Sequence, residues 1–208
     1  MATAENIHWL GHDAFRIAGE QTIYIDPWKL PKDAPKADII LITHDHYDHC
    51  SPEDVAKIRK EDTVIVTIKA AASKLKGNVQ IVKPNESLAV KEVPIETVPA
   101  YNVDKAFHPK AAGHVGFIVT VGGQRIYHAG DTDLIPEMED IKTDIALIPV
   151  SGTYVMTAEE AAQAAERIRP QIAIPMHFGE IVGSKRDAEL FRQLCPPDVQ
   201  VVILPEEG

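Results

Sequence analysis

HDHYDH, at residues 44–49, follows the apolar run IILI at residues 39–42. The apolar run has the composition of a strand that is buried on both faces. In an extended chain, alternate side chains point to the same side, so His44, His46 and Asp48 can converge. Two imidazoles and a carboxylate suit a borderline divalent cation such as zinc. The last histidine adds one more ligand than a single open site needs, which indicates two metals.

A polar loop with solvated side chains would explain any one of these histidines taken alone. Three histidines and an aspartate within six residues at a strand end are harder to explain in that way. Such a group is costly for a fold unless a cation neutralises the carboxylate and uses the lone pairs. We therefore interpret residues 44–49 as a metal site, with His49 among the ligands.

The composition is that of a globular protein with a sizeable core. The chain has 208 residues, 45% of them apolar and 25% charged, and this size suits one domain over residues 1–208. The formal net charge is −10, which argues against nonspecific nucleic-acid binding. We expect a small-molecule substrate, and no nucleic acid as a partner.

The sequence predicts a cytoplasmic protein that does not contact a membrane. Residues 1–10 lack the charged and apolar regions of a secretory signal, and no apolar run is long enough to cross a bilayer. Cys50 and Cys195 are the only cysteines, so no disulfide framework is expected. Cys50 adjoins the histidine cluster and is interpreted as a packed thiol in preference to a thiolate ligand.

Short strands outnumber helices, and the helices are interleaved through both halves of the chain. Ser51 and Pro52 mark a helix start, Gly122-Gly123 marks a hairpin, and Thr157 with Glu160 forms a capping box. Further expected elements include helices over 70–75 and 185–194 and a last strand over 199–204. The pattern predicts an α/β (α+β) fold in which two sheets pack together with helices outside.

Further candidate ligands follow other predicted strands. Gly130-Asp131 follows one strand, His177 follows another, and Tyr101-Asn102 follows a third. Loops just past strand ends are where a rigid sheet aims functional side chains. Taken alone, Asp131 is equally explained as a helix cap and His177 as a core histidine. Beside the cluster at 44–49, both become candidate ligands.

These motifs, in this order, resemble the metallo-β-lactamase-fold hydrolases over nearly the whole chain. The segments WLGH at 9–12, IDPW at 25–28, YHAGDT at 127–132 and PMH at 175–177 resemble one branch of that superfamily. That branch includes ascorbate-6-phosphate lactonase and related metal-dependent hydrolases. The resemblance implies an αββα sandwich of two mixed β-sheets with flanking helices, a dinuclear site and a homo-oligomer.

The resemblance also implies a ligand set. His44 and His46 would hold a first metal, Asp48, His49 and His177 a second, and Asp131 would bridge the two. The ions would be two divalent metals, zinc first, with manganese, nickel or iron as alternatives.

One position departs from the family pattern. The third histidine of the first metal falls, by position, at Asn102, which has no imidazole. Either His108 reaches in from six residues further on, or the first site stays open and Asn102 binds substrate. His114 is a less favoured candidate, because it is expected to open the next strand.

Several other side chains are candidates for the wall of a substrate pocket. His12 resembles a position near the family's metals, with a water-exposed turn histidine as the alternative. Tyr101, Asn102 and Tyr154 are the other predicted substrate-binding residues. Core packing is preferred for Met156, and both tryptophans are assigned to the core.

The predicted activity is hydrolysis of a lactone, ester or phosphodiester bond by a metal-activated hydroxide. Asp48 would orient the nucleophile, and His108 would stabilise the developing oxyanion. A phosphorylated substrate would need cations, for which Lys105 and Lys110 are candidates. A redox di-iron protein on the same scaffold is one alternative, although His46 in place of a carboxylate favours zinc-like chemistry. A non-catalytic, metal-stabilised binding module is the other.

Overall fold

The computed structural model describes residues 1–207, and within them the strands form two sheets. The first sheet contains, in spatial order, β1 (Ile7–Trp9), β2 (Phe15–Ile17), β3 (Ile23–Ile25), β4 (Ala37–Ile42), β5 (Arg59–Thr67) and β6 (Asn78–Ile81). β1, β2 and β3 pair antiparallel, whereas β3, β4, β5 and β6 pair parallel. This sheet is therefore mixed.

The second sheet is also mixed. Its strands along the chain are β7 (Ser87–Val90), β8 (Val93–Pro99), β9 (Val115–Val121), β10 (Gln124–His128), β11 (Ile145–Pro149), β12 (Ile172–Met176) and β13 (Gln200–Val201), and neighbours in this order are neighbours in the sheet. β7 to β10 pair antiparallel, and β10 to β13 pair parallel.

The helices connect successive strands along the chain, two in each sheet. They are α1 (Pro52–Ile58), α2 (Lys69–Ala72), α3 (Ala158–Ile168) and α4 (Lys185–Leu194), with short 3-10 turns at Lys110–Ala112 and Pro136–Asp140. α3 packs against α4 and β11, and α4 also contacts β12. The predicted αββα sandwich of two mixed sheets is confirmed. Across residues 1–207, each helix falls short of the length and apolarity that a membrane span requires.

The predicted helix starts and hairpin are confirmed at the level of single hydrogen bonds. The Ser51 side chain accepts a bond from the backbone N–H of Asp54, with Pro52 in the first turn of α1. Thr157 and Glu160 form both bonds of a capping box at α3. The turn at Gly122-Gly123 uses positive φ at both residues (57° and 78°), which two-residue hairpins require.

Two predicted elements are shorter in the structure. The helix expected over 70–75 ends at Ala72, because the next residues continue only as isolated turns. The strand expected over 199–204 pairs only at Gln200–Val201. The N–H of Val202 still donates to the Ala173 carbonyl of β12 at 3.0 Å, and further on Glu206 bridges to Trp9 on the other sheet.

The core fills the space between the sheets. One continuous cluster includes side chains from central strands of both, such as Leu41 in β4 and Leu147 in β11. Met156 and Trp9 are buried, as predicted. The assignment of Trp28 to the core is wrong: its ring is only half-buried and lies edge-on to His12, because it sits in the loop after β3 with the ammonium of the exposed Lys29 4.5 Å from its centroid. Cys50 is buried as predicted, and burial raises the pKa of its thiol to about 11.

A matched pair of leucines tests the importance of this core. Leu147 is fully buried in β11, whereas Leu194, at the end of α4, is 46% exposed. We expect Leu147→Ala to lower the free energy of unfolding by about 2–5 kcal/mol through lost transfer energy and a residual cavity. Leu194→Ala should cost below about 1 kcal/mol. Urea unfolding followed by circular dichroism measures both, and equal losses would contradict the proposed packing.

Candidate metal centre

Four side chains converge beside the carboxyl end of β4. They are His44, His46, His108 and Asp131, and their candidate ligand atoms all lie within 4.8 Å of one another. His46 Nδ1 is 3.0 Å from His44 Nε2 and 3.3 Å from His108 Nε2. His108 Nε2 is 3.2 Å from Asp131 Oδ2. Ligands of a tetrahedral zinc ion lie about 3.4 Å apart, so this spacing suits one divalent cation.

A second set of four side chains adjoins the first. It contains His12, Asp13, His49 and His177, all buried, again with ligand atoms within 4.8 Å. Asp131 faces this set as well: its Oδ1 is 3.4 Å from His49 Nε2, and its Oδ2 is 3.4 Å from His177 Nε2. The Asp131 carboxylate therefore lies between the two sets.

Asp48 lies at the edge of the second set. Its Oδ2 is 3.2 Å from His12 Nε2 and 3.7 Å from His49 Nε2. The Asp48 side chain is 14% exposed, in contrast to the fully enclosed His12 and His49. Asp48 and His46 are the two predicted ligands of the 44–49 motif that are only partly buried, and Asp48 is the one beside the second set.

The donor atoms fit a cation because several of them are otherwise unsatisfied. Among residues 1–207, His49 Nε2, Asp131 Oδ1 and both carboxylate oxygens of Asp13 are buried and find no hydrogen-bond partner. Each such group costs about 1–3 kcal/mol when it is left unpaired. His49 Nε2 and Asp131 Oδ1 face each other at 3.4 Å. A cation between them would satisfy both atoms at once.

One carboxylate orients ligands in both sets. Asp26, directly after β3, accepts hydrogen bonds from the backbone N–H of Thr43 (2.8 Å) and from its hydroxyl (2.6 Å). The same Thr43 hydroxyl lies 2.9 Å from His44 Nδ1, and Asp26 Oδ2 lies 2.8 Å from His49 Nδ1. These contacts fix the rings so that the opposite nitrogens of His44 and His49 point inward.

The other ring nitrogens are oriented in the same way. His177 Nδ1 lies 2.8 Å from the Ser151 hydroxyl. His108 Nδ1 lies 3.0 Å from Asn102 Oδ1, which also accepts the backbone N–H of His108 at 2.9 Å. The Asn102 amide nitrogen donates to Asp133 Oδ1 (3.1 Å) and to the Tyr154 carbonyl (2.9 Å). Both ends of the Asn102 amide are therefore bonded within the protein.

Local backbone geometry brings these side chains together. Asp131 follows Gly130, whose φ is +63°, and a Cβ at Gly130 would meet the Thr43 side chain at 3.2 Å. The loop after β10 therefore passes directly over the residue that holds His44. His12 and His177 both have positive φ, and the His177 N–H donates to the His12 carbonyl at 3.1 Å. This contact joins the loop after β1 to the loop after β12.

Burial and charge act in opposite directions on the titrating groups. Burial by itself would raise the pKa of Asp131, but His49 and His177 hold it well below its ordinary value. Burial would lower the pKa of His49, but the carboxylates of Asp131 and Asp26 hold it well above its ordinary value. Burial lowers the pKa of His44 well below its usual value. His44 thus presents a neutral imidazole, the form that binds metal.

The structure brings all six residues predicted as metal ligands, together with His12 and His108, into one group, in which His46 and Asp48 are partly exposed and the others are buried. His12 is fully buried, so its alternative as a water-exposed turn histidine is wrong. Tyr101 lies further out, where its hydroxyl donates to Glu137 (2.9 Å). Tyr154 reaches the group through its carbonyl contact with Asn102.

Sequence reasoning missed four members of this network. They are Asp13, Asp26, Thr43 and Ser151. Asp26 carried a usable indication, because it follows a predicted strand within the segment IDPW. Thr43 and Ser151 are single hydroxyl residues at strand ends, and Asp13 only follows His12. Their partners lie far away in sequence, so no local spacing identifies them.

Comparison with known proteins agrees with this architecture. The model of the Beta-lactamase superfamily domain matches residues 6–177. A UPF0173 metal-dependent hydrolase from Thermoplasma acidophilum is 33% identical over 216 residues, with 96% of this chain and 95% of the relative covered. A crystal structure described as a metal-dependent hydrolase from Parabacteroides distasonis superposes with a TM-score of 0.86 at 36% identity, over 97% of this chain and 93% of that one.

A more distant neighbour shows the fold alone. CmlA, a diiron β-hydroxylase from Streptomyces venezuelae, gives a TM-score of 0.73 at 14% identity, over 95% of this chain and 52% of that one. Fold and close relatives together define a metallo-β-lactamase-fold protein of the metal-dependent hydrolase class. Within that class, the chain belongs to the UPF0173 metal-dependent hydrolases.

Removing the shared orienting carboxylate tests the network. We expect Asp26→Asn to weaken zinc binding by about 10- to 100-fold, the usual effect of losing such an outer partner. The reason is that Asp26 holds His49 directly and His44 through Thr43. Zinc affinity is measured by competition with a chelating dye.

Asp38→Asn is the matched control, because Asp38 is bound to Thr22 and Lys60, away from the histidines. Its zinc affinity should equal that of the unmodified chain. An Asp26→Asn protein with unchanged zinc affinity would contradict the orienting role.

Proposed function

We propose that the protein is a hydrolase that uses two divalent metal ions, zinc first, to cleave a lactone, ester or phosphodiester bond. The observation that carries this proposal is the position of Asp131 between two sets of candidate ligand atoms. Its two carboxylate oxygens face different histidines. Oδ1 faces His49 of the second set, whereas Oδ2 faces His108 of the first set and His177 of the second, so this one carboxylate would serve ions held by either set.

The proposed ligands follow the distances. His44, His46 and His108 would hold the first ion, and His49 and His177 the second, with Asp131 between the two ions. Asp48 would complete the second set from its open side. His12 and Asp13 also adjoin that set, and His12 would orient Asp48 through their 3.2 Å contact.

His108 in this proposal replaces the histidine that the family pattern places at 102. The supporting contacts are the approach of its Nε2 to His46 and to Asp131 (3.3 and 3.2 Å). Asn102 then acts as a positioning residue for His108, and this role differs from our expectation that Asn102 binds substrate. We likewise propose His108 as a metal ligand in place of its expected role as the donor that stabilises the oxyanion.

Asp48 is the proposed general base. Divalent ions, when bound, acidify water and polarise an oxygen of the scissile group. Burial by itself would raise the pKa of Asp48, but the hydrogen bond with His12 and the nearby His49 lower it, so the group is a carboxylate at neutral pH. Its partial exposure lets Asp48 accept a proton from an attacking water and release it to solvent.

The two lysines suggested as phosphate ligands are already paired with carboxylates, which favours a substrate whose scissile group is uncharged. Lys105 pairs with Asp133 at 2.6 Å, and Lys110 pairs with Glu137 at 2.8 Å. Both lysines suggested as phosphate ligands are therefore engaged by carboxylates. We place lactones and esters ahead of phosphodiesters for this reason. A homo-oligomer stays a prediction from the family resemblance.

A redox di-iron protein is the second candidate, because CmlA shares the fold. Three imidazoles in the first set, with Asp131 as its carboxylate, suit zinc better than iron oxygen chemistry. Optical absorption of the purified protein separates the two, since zinc is colourless and oxo-bridged di-iron absorbs in the near ultraviolet. A non-catalytic module would bind metal without turnover.

Metal counting tests the ligand assignment. We expect about two zinc ions per chain by mass spectrometry after reconstitution, and one ion in His108→Ala, because the first set then keeps only two imidazoles and the shared carboxylate. His8→Ala is the control: His8 contacts Glu207 near the surface and should keep the full count. One ion in the unmodified chain, or two in His108→Ala, would contradict this ligand assignment.

Turnover tests the role of Asp48. We expect Asp48→Asn to lower kcat for a generic lactone or ester by about 10²- to 10⁴-fold, the usual contribution of a positioned acid or base. Asp62→Asn is the matched control, because Asp62 pairs with surface lysines and its loss should leave kcat unchanged. Circular dichroism and metal count establish that both variants are folded and loaded. Full turnover by a loaded Asp48→Asn enzyme would disprove the role.

A further inference from the structure

Two exposed aromatic residues directly adjoin candidate metal ligands in the chain. Tyr47 is 67% exposed and lies between His46 and Asp48 in the chain. Phe107 is 53% exposed and directly precedes His108. The ring centroids of His46 and His108 are 5.0 Å apart, so the two exposed aromatic residues lie on the two chain segments that carry these neighbouring imidazoles.

Tyr47 is part of an aromatic pair. Its ring meets the half-buried Trp28 edge-on, with centroids 6.0 Å apart. Trp28 in turn meets His12 edge-on at 5.6 Å, which links the pair to the buried imidazoles. Lys29 places its ammonium 4.5 Å from the Trp28 ring centroid and pairs with Glu180 at 2.6 Å. The ion pair with Glu180 therefore joins the loop that contains Glu180 to the loop that contains Trp28.

Phe107 belongs to a second aromatic pair, on the segment that carries His108. It meets Tyr154 edge-on, with ring centroids 4.6 Å apart. The Tyr154 carbonyl accepts from Asn102, which positions His108. Both pairs are therefore connected to residues that we assign to the metal centre, one through His12 and the other through Asn102. Each pair leaves aromatic surface facing solvent.

Ile181 adds a strained and exposed apolar side chain near the first pair. It is 47% exposed, and its φ is +53°, a conformation that is unfavourable for a β-branched residue. Its neighbour Glu180 pairs with Lys29. Burial of the side chain in the core cannot explain this geometry. Strained residues of this kind concentrate at ligand-binding sites.

We infer that the part of the substrate next to the scissile bond is an aromatic group, held between the Trp28–Tyr47 and Phe107–Tyr154 pairs. This inference rests on the proposed function and adds the class of substrate. Aromatic rings bind best to other rings in edge-on or offset arrangements, and both pairs have free ring surface for such contacts. A sugar would instead need hydroxyl and amide partners, and here Asn102 and Lys105 are already bonded.

Two phosphonates that differ only in one substituent test the inference without requiring turnover. Phenylphosphonate and methylphosphonate both carry a tetrahedral head that mimics attack at either an acyl or a phosphoryl centre. We expect the zinc-loaded protein to bind phenylphosphonate about tenfold more tightly in calorimetry. Cyclohexylphosphonate, which has similar bulk but no aromatic face, should bind less tightly than the phenyl compound.

Variants locate the preference. Tyr47→Ala and Phe107→Ala should each reduce the phenyl-to-methyl affinity ratio by about threefold or more. Ile81→Ala is the control, because Ile81 is an exposed residue of β6, and the ratio should not change. Light scattering on the same samples reports the oligomeric state.

The outcomes separate the inference from the proposed function. Equal affinities for phenyl and methyl compounds, or a ratio unchanged in both variants, would overturn the aromatic substrate class while zinc-dependent methylphosphonate binding still supports the metal centre. Equal binding of the cyclohexyl and phenyl compounds would replace aromatic recognition by general apolar contact. Loss of oligomers in Tyr47→Ala or Phe107→Ala would assign the surface to a second copy of the chain. Failure of every phosphonate to bind would count against both proposals.

Discussion

The buried carboxylate of Asp131 is the constraint on which the site depends. It is almost fully enclosed, and within residues 1–207 its ion-pair partners are His44, His49, His108 and His177. Those imidazoles compensate the charge only when they are protonated or when a cation lies between them and the carboxylate. Protonation of several rings a few ångströms apart is opposed by their mutual repulsion. Cation binding is the arrangement that satisfies the carboxylate and leaves the rings neutral.

The fold brings that carboxylate to the histidines only when both sheets are packed together. His44 and His49 follow β4 of the first sheet, whereas Asp131 and His177 follow β10 and β12 of the second. Asp26, in the loop after β3, adds another loop of the first sheet to the same network. Cation binding and closure of the sandwich therefore stabilise each other, and a metal bound at this edge contributes directly to the free energy of folding.

Local sequence patterns predict those parts of the site whose geometry is local. Alternation along a strand end predicts the convergence of His44 and His46, and Gly130 predicts the turn before Asp131. The role of Asp26 depends on contacts with Thr43 and His49, which follow another strand. Asn102 contacts His108 within one loop, but its amide is oriented by Asp133 and Tyr154, which are distant in sequence, so spacing reveals neither role. Trp28 was misassigned for the same reason: an apolar residue after a strand resembles a core residue until the direction of the following loop is known.

The departure of this chain from the family pattern at Asn102 and the proposed aromatic contact of Phe107 involve the same loop, residues 102–108. Asn102 closes the loop between 102 and 108 on itself, because its N–H donates to the His108 carbonyl at 2.7 Å and its side chain accepts from the His108 N–H. In the proposed ligand set, the histidine comes from the end of this loop in place of the strand end at 102, and its neighbour Phe107 carries one of the exposed aromatic rings. The two proposals therefore assign ligand choice and substrate preference to the same segment of the chain.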